Sequence, residues 1–90
     1  MRNGLEELTV YQLAMEIGEI VWKIVVRWDS FSKSCIGDNI VRASDSIANN
    51  ISEGYGRHFY KENRNFCWIA RGSLSETKTS IQKAYNRNLI

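Results

Sequence analysis

Six polar residues with helical spacing carry the side chains most able to do chemistry in this sequence. A carboxylate beside hydroxyl, amide and guanidinium groups could form an acid–base site. The same side chains could instead form a buried, mutually satisfied polar network that fixes helix register, because partly buried charges need partners. No nucleophile–base pair or phosphate-binding glycine loop accompanies them, so the network is the favoured interpretation. The residues are Arg42, Ser46, Asn50, Glu53, Ser73 and Glu76.

Basic residues recur along one face of the last predicted helix, with a tryptophan between them. They could neutralise phosphates, and an exposed tryptophan could stack on an unpaired base. The alternative is an ordinary solvated face, with Trp68 packed against a neighbour. Residues 1–53 carry five basic and eight acidic side chains and residues 54–90 carry seven and two, which favours an anionic partner for the second half. The candidate nucleic-acid-binding residues are Arg57, Lys61, Arg64, Trp68, Arg71 and Lys78.

Neither the single histidine nor the two cysteines indicates a metal or catalytic site. His58 follows two glycines in a predicted loop, where a lone histidine is more often solvated than a ligand or base. Cys35 and Cys67 match no metal-ligand spacing and are too few for a disulfide framework, which predicts free thiols in a reducing compartment. No signal peptide or membrane-length apolar run is present. We therefore expect a cytoplasmic protein without membrane association, cofactor, small-molecule substrate or enzymatic activity.

The spacing of apolar residues predicts one all-α domain over residues 1–90, with no strands. The chain contains no proline, so long helices are unobstructed. Thr9 and Gln12 predict a capping box at the start of the first helix. Residues 29–34 are predicted to form a polar connector. Gly54 and Gly56 predict that the second helix ends in the left-handed conformation. Gly72 and Ser73 predict close approach of a neighbouring helix. The expected helices span about 9–28, 37–53 and 60–86.

The first predicted helix is apolar around most of its circumference. A helix that faces one core needs an apolar arc of little more than ~100°. A central position in its own bundle would explain the wider arc, but in a chain of 90 residues an oligomer interface explains it better. The residues that widen the arc are Tyr11, Leu13, Met15, Ile20, Trp22 and Val26.

Three segments of the chain carry a family resemblance. They are LTVYQLA at residues 8–14, VRASDSIANNISEGYGR at 41–57 and IARGSLSE at 69–76. In this order they resemble the opening, second-helix and third-helix signatures of the four-helix-bundle family encoded by intervening sequences of bacterial 23S ribosomal RNA genes. The resemblance implies an up-and-down antiparallel bundle that assembles as a homopentamer and is not an enzyme. The family also includes the accessory protein of diversity-generating retroelements, which binds nucleic acid and works with a reverse transcriptase.

The sequence departs from the family in one respect. Family members continue past the position of Leu89 and Ile90 into a fourth helix, whereas here three long helices are predicted and the fourth is missing. Either the sequence is truncated or a neighbouring chain covers the apolar groove, because helices left with an exposed apolar face would otherwise aggregate. Two functions follow as hypotheses: an oligomer that binds RNA or DNA through the basic face of the third helix, or a scaffold that recruits a protein through its apolar face with no nucleic-acid role.

Overall fold

The computed structural model describes residues 4–90, which are all-α and contain three long helices, as the apolar spacing predicts. Their element order is a 3₁₀ turn (Gly4–Glu7), α1 (Thr9–Val25), α2 (Ser30–Ser32), a π-helical segment (Lys33–Gly37), α3 (Asp38–Tyr55) and α4 (Tyr60–Asn86). Within residues 4–90 no helix is long and apolar enough to cross a membrane.

The central helix of the bundle is α3, which packs against α1 on one side and α4 on the other. Near its start, Ile40 shares an apolar cluster with Val25 of α1 and Ala84 of α4. Midway along α3, Ile47 packs against Ala14, which lies in the first half of α1. Residues late in α1 and α4 therefore meet the start of α3, so α3 runs antiparallel to both neighbours.

The start of α1 differs from the predicted capping box. Leu8 occupies the N-cap position, and no side chain caps the helix there. The Gln12 side-chain Nε2 donates instead to the backbone carbonyl oxygen of Glu6, 2.9 Å away. The capping-box prediction is wrong because the preceding 3₁₀ turn offers Gln12 a different acceptor, and this bond ties the turn to α1.

The predicted polar connector is mostly helical. α1 ends at Val25, three residues before the expected end, and a new helix begins at Ser30. Asp29 caps that helix, because its carboxylate accepts from the backbone N–H of Ser32 at 3.2 Å. The hydroxyl and backbone N–H of Ser32 together hold the pKa of Asp29 below its usual value. Polar composition was misleading here, since the same residue types favour loops and helix N-caps.

Gly54 lies within α3 and is buried, so the predicted left-handed helix end is wrong. No glycine among residues 4–90 has a positive φ, and the C-cap Gly56 has φ −78°. A Cβ on Gly54 would lie 2.9 Å from the Cβ of Phe66 and 3.2 Å from the carbonyl oxygen of Asn63. The Asn63 Nδ2 donates to the Gly54 carbonyl oxygen at 2.7 Å. Gly54 is therefore needed for close approach of α4.

The end of α4 closes one end of the bundle. Asn88 has φ 63°, and the backbone N–H of Leu89 donates to the carbonyl of Ala84 at 2.9 Å, which forms a Schellman motif. This turn packs Leu89 against the apolar cluster. The Leu89 carbonyl accepts from the indole Nε1 of Trp28 at 3.1 Å. At this end α1 and α4 are therefore joined through Trp28.

Two glycine substitutions should have opposite effects on stability. Gly54→Ala introduces a methyl group that collides with α4, and such overpacking costs about 1–3 kcal/mol. Gly72, predicted to permit close helix approach, is exposed with no atom within 4 Å of its hypothetical Cβ. Gly72→Ala should therefore stabilise α4 by about 0.5–1 kcal/mol. Thermal unfolding followed by circular dichroism measures both, and a Gly54→Ala variant as stable as the parent would contradict the tight contact.

Candidate nucleic-acid interface

Four of the predicted basic residues lie on the exposed side of α4. The helix buries Ala70, Thr77 and Ala84 toward the rest of the bundle. The opposite surface carries a set of exposed side chains that we call the basic face. Its charged members are Lys61, Arg64, Arg71 and Lys78.

The positive charges of the basic face are not offset by nearby carboxylates. Among residues 4–90, none of its four cations forms an ion pair within 4.0 Å. The two acidic residues of α4 are Glu62 and Glu76. At ~100° per residue both fall on the far side of the helix from Arg71. The basic face is therefore a surface of one sign.

Two arginines of the basic face lie over aromatic rings. The Arg64 guanidinium carbon is 5.8 Å from the centroid of the Tyr60 ring, and that of Arg71 is 5.4 Å from the Trp68 ring. These are cation–π distances. Tyr60 is 77% exposed and Trp68 is 57% exposed. Within the described part of the chain Trp68 thus lies against Arg71 and solvent, not in the core.

Arg57, also predicted to bind nucleic acid, has a different environment. Its Nη2 lies 2.7 Å from the Glu53 Oε2, and its guanidinium carbon lies 4.9 Å from the centroid of the Phe66 ring. The Glu53 carboxylate balances the charge of Arg57, and the two contacts link the end of α3 to the start of α4. His58, in the loop beside it, is exposed and makes an edge contact with Phe59.

The polar residues singled out as a network fall into two groups. Ser46 and Ser73 bridge α3 and α4 through a hydroxyl–hydroxyl hydrogen bond of 2.8 Å. The Asn50 Nδ2 donates to both the carbonyl oxygen and the hydroxyl of Ser46, at 2.7 and 2.8 Å. All three side chains are partly buried. This hydrogen-bonded group, which we call the serine bridge, fixes the register of the two helices.

The charged members of the predicted network lie outside the serine bridge. Arg42 pairs with Asp38 at 3.1 Å in an exposed contact, and Glu53 pairs with Arg57. Glu76 is exposed on α4. The expectation that these charges are buried together is wrong. In both ion pairs the arginine and the carboxylate are four residues apart, so they can pair while exposed to solvent. Neither group then bears the desolvation cost of burial.

An apolar groove lies between α1 and α4, over α3. It encloses about 370 Å³ and is lined by Leu8, Val10, Ile51, Tyr55, Cys67 and Leu74 among others. Arg71 lines the same groove, so the groove borders the basic face. A second apolar strip, formed by Met15, Trp22 and Val26, is about half exposed along the flank of α1 that borders α3. The breadth of apolar surface predicted for the first helix is thus left uncovered on two sides.

Comparison with known proteins identifies the family of the chain. Residues 6–90 match the family of 23S rRNA-intervening sequence proteins. The chain belongs to this family. The match confirms the resemblance that its three signature segments carry. No curated protein gives a significant match.

In this 23S rRNA-intervening sequence protein, the aromatic partners of the basic face were not singled out from sequence as a set. Tyr60 precedes Arg64 by four residues and Trp68 precedes Arg71 by three. Both spacings bring side chains together on a helix, so the pairs could have been found. Among the described residues no group of three or more His, Cys, Asp or Glu side chains could hold a metal ion.

The two groups of polar residues should respond differently to truncation. Asn50→Ala removes the two side-chain hydrogen bonds to Ser46, and each such bond contributes about 0.5–1.5 kcal/mol. Arg42→Ala removes one exposed ion pair between side chains that are 75% and 61% exposed, and such pairs contribute about 0.3–0.5 kcal/mol. Urea unfolding measures both. Equal losses for the two variants would contradict the division of the network.

Proposed function

We propose that this protein is a non-enzymatic homo-oligomer that binds RNA or DNA through the basic face of α4. The observation that carries the proposal is the separation of charge on α4. Four exposed cations, which have no carboxylate partner among residues 4–90, share one side, and Glu62 and Glu76 lie on the other. Cationic side chains in such an arrangement bind phosphates and release condensed counterions, which gives affinity with little base reading. Arg57 contributes less, because Glu53 already balances its charge.

Self-association is the second part of the proposal. The groove beside α4 and the exposed strip of α1 (Met15, Trp22 and Val26) present apolar surface that a second copy of the chain could bury. The family resemblance implies that the assembly is a pentamer. In a ring of five, five basic faces would recur around one particle, and multivalency would strengthen weak individual contacts. The exposed free thiols of Cys35 and Cys67 fit a cytoplasmic location.

A protein-interaction scaffold is the alternative function, and the groove favours it. The lining is predominantly apolar, as in grooves that accept an amphipathic helix. In that case the charges of α4 would serve solubility alone. The two functions differ in their salt dependence, since phosphate contacts weaken steeply as salt rises and apolar contacts do not.

Reversing the charge of the basic face should weaken nucleic-acid binding and its dependence on salt. The triple variant Arg64→Glu, Arg71→Glu and Lys78→Glu should lose at least about tenfold in affinity for an oligonucleotide and lower the salt slope by about two to three. A matched control, Lys23→Glu, Arg27→Glu and Lys33→Glu, changes net charge equally but leaves α4 intact. Fluorescence anisotropy across a salt series measures both triple variants.

Three results are distinguishable in this experiment. A loss of oligonucleotide affinity in the α4 variant alone supports the basic face as the binding site. Equal losses in both triples would show that only net charge matters. No binding by the parent protein at low salt would leave the scaffold as the better function.

Native mass measurement tests self-association. We expect the parent protein to exceed the 10.4 kDa of one chain by an integer factor, five if the family pentamer forms. Val10→Glu or Leu74→Glu, which place a charge in the groove, should shift the assembly toward the monomer because burying an unpaired carboxylate is costly. Phe31→Glu is the control, since Phe31 is exposed away from both apolar surfaces. A parent protein that runs as a monomer at micromolar concentration would contradict the proposal.

A further inference from the structure

The basic face presents aromatic rings as well as charge. Tyr60 and Trp68 are both more than half exposed, and each lies beside an arginine of the same face. We infer that the nucleic acid bound at this face is single-stranded and that its unpaired bases stack on Trp68 and Tyr60. This inference rests on the proposed function and identifies the class of nucleic acid that the site takes.

Exposed rings distinguish a single strand from a duplex. In a duplex the faces of the bases are covered by their neighbours, and opening one step costs a few kcal/mol. In a single strand the base faces are open, and stacking on an aromatic side chain needs no prior disruption. A surface that held only duplex phosphates would gain nothing from apolar rings left in solvent. Trp68 and Tyr60 therefore add affinity only for unpaired bases.

The arginines prepare the rings for stacking. Arg71 lies 5.4 Å from the Trp68 ring and Arg64 lies 5.8 Å from the Tyr60 ring, so a guanidinium restrains each aromatic side chain. Because much of each ring surface remains exposed, a base can stack where the guanidinium does not. The guanidinium N–H groups, free of carboxylates within the described residues, are then close enough to bind a nearby phosphate.

The spacing of the two ring–arginine pairs limits how a strand can lie. Tyr60 and Trp68 are eight residues apart on one helix, about 12 Å at 1.5 Å per residue. At ~3.4 Å per stacked nucleotide, this distance corresponds to roughly three or four nucleotides. The two rings therefore contact bases that are separated along the strand, with cations between them.

Charge favours a nucleic acid over a second protein surface as the occupant of Trp68. The Trp68 ring lies among the cations of the basic face, and the basic face of a second copy would repel these cations. A polyanion with open aromatic bases satisfies both the charge and the rings. A protein partner that covers Trp68 instead is one outcome of the test.

The experiment compares three ligands at one fixed low salt concentration: a single-stranded 12-mer, the duplex of the same sequence, and heparin, a polyanion without bases. The parent protein should bind the single strand about tenfold more tightly than the duplex. Trp68→Ala should lose about tenfold for the single strand and keep its affinity for heparin. Phe31→Ala is the control, because the Phe31 ring is 75% exposed and lies outside both the basic face and the groove.

Each outcome decides between the proposals. If the parent binds duplex as tightly as single strand and Trp68→Ala binds like the parent, the single-strand inference is overturned and the proposed function stands. If Trp68→Ala lowers the affinity for the single strand and for heparin equally, the ring has only a structural or protein-interface role, which also overturns the inference. No binding to any of the three ligands overturns the proposed function as well. Tyr60→Leu, at the most exposed ring, repeats the test should Trp68→Ala fail to fold.

Discussion

The bundle depends on α3 burying itself against two helices at once. Its inward positions are dominated by small residues, Ala43, Ser44 and Ala48, with Ile40 and Ile47 supplying most of the apolar volume. Small side chains allow α1 and α4 to approach closely, but they fill little space between those two helices. α1 and α4 are joined where Trp28 meets Leu89, and the apolar groove separates them elsewhere. The groove is thus a consequence of how α3 is buried.

The groove and the basic face share a residue, which would link the proposed self-association to the proposed binding of nucleic acid. Arg71 lines the groove and also lies over Trp68. A second subunit that covered the groove would bring its own charged side chains near Arg71 of the first. Basic faces brought together in an assembly would repel each other, and a bound polyanion would relieve that repulsion. Binding and self-association of such a protein would therefore favour each other through linkage.

The sequence predicted the long helices, their antiparallel order and the family, because these depend on apolar periodicity and on extended signature segments. It failed where two local alternatives had similar propensities. Gln12 had a choice of backbone acceptors, and Asp29 suited a loop or an N-cap equally. Gly54 satisfied the pattern of a helix end but serves close packing, which only tertiary contacts reveal. For the polar residues, periodicity predicted the shared side but not whether Arg42 is buried or solvated.

The residues on the two sides of α4 explain both how the helix packs and where the candidate site lies. The inner face of α4 carries small residues, Ala70, Ser73, Thr77 and Ala84. Ser73 bonds to Ser46 of α3, and Ala84 packs in the apolar cluster with Ile40. Of the aromatic side chains of α4, Phe66 packs beside Gly54 of α3, whereas Tyr60, Trp68 and Tyr85 are more than half exposed. On the outer side Tyr60 and Trp68 meet arginines at three- and four-residue spacing, where cation–π contact restrains them. α4 thus packs closely on one side and presents restrained rings on the other, together with cations that have no carboxylate partner within the described residues. An unpaired, negatively charged strand would satisfy both the rings and the charges.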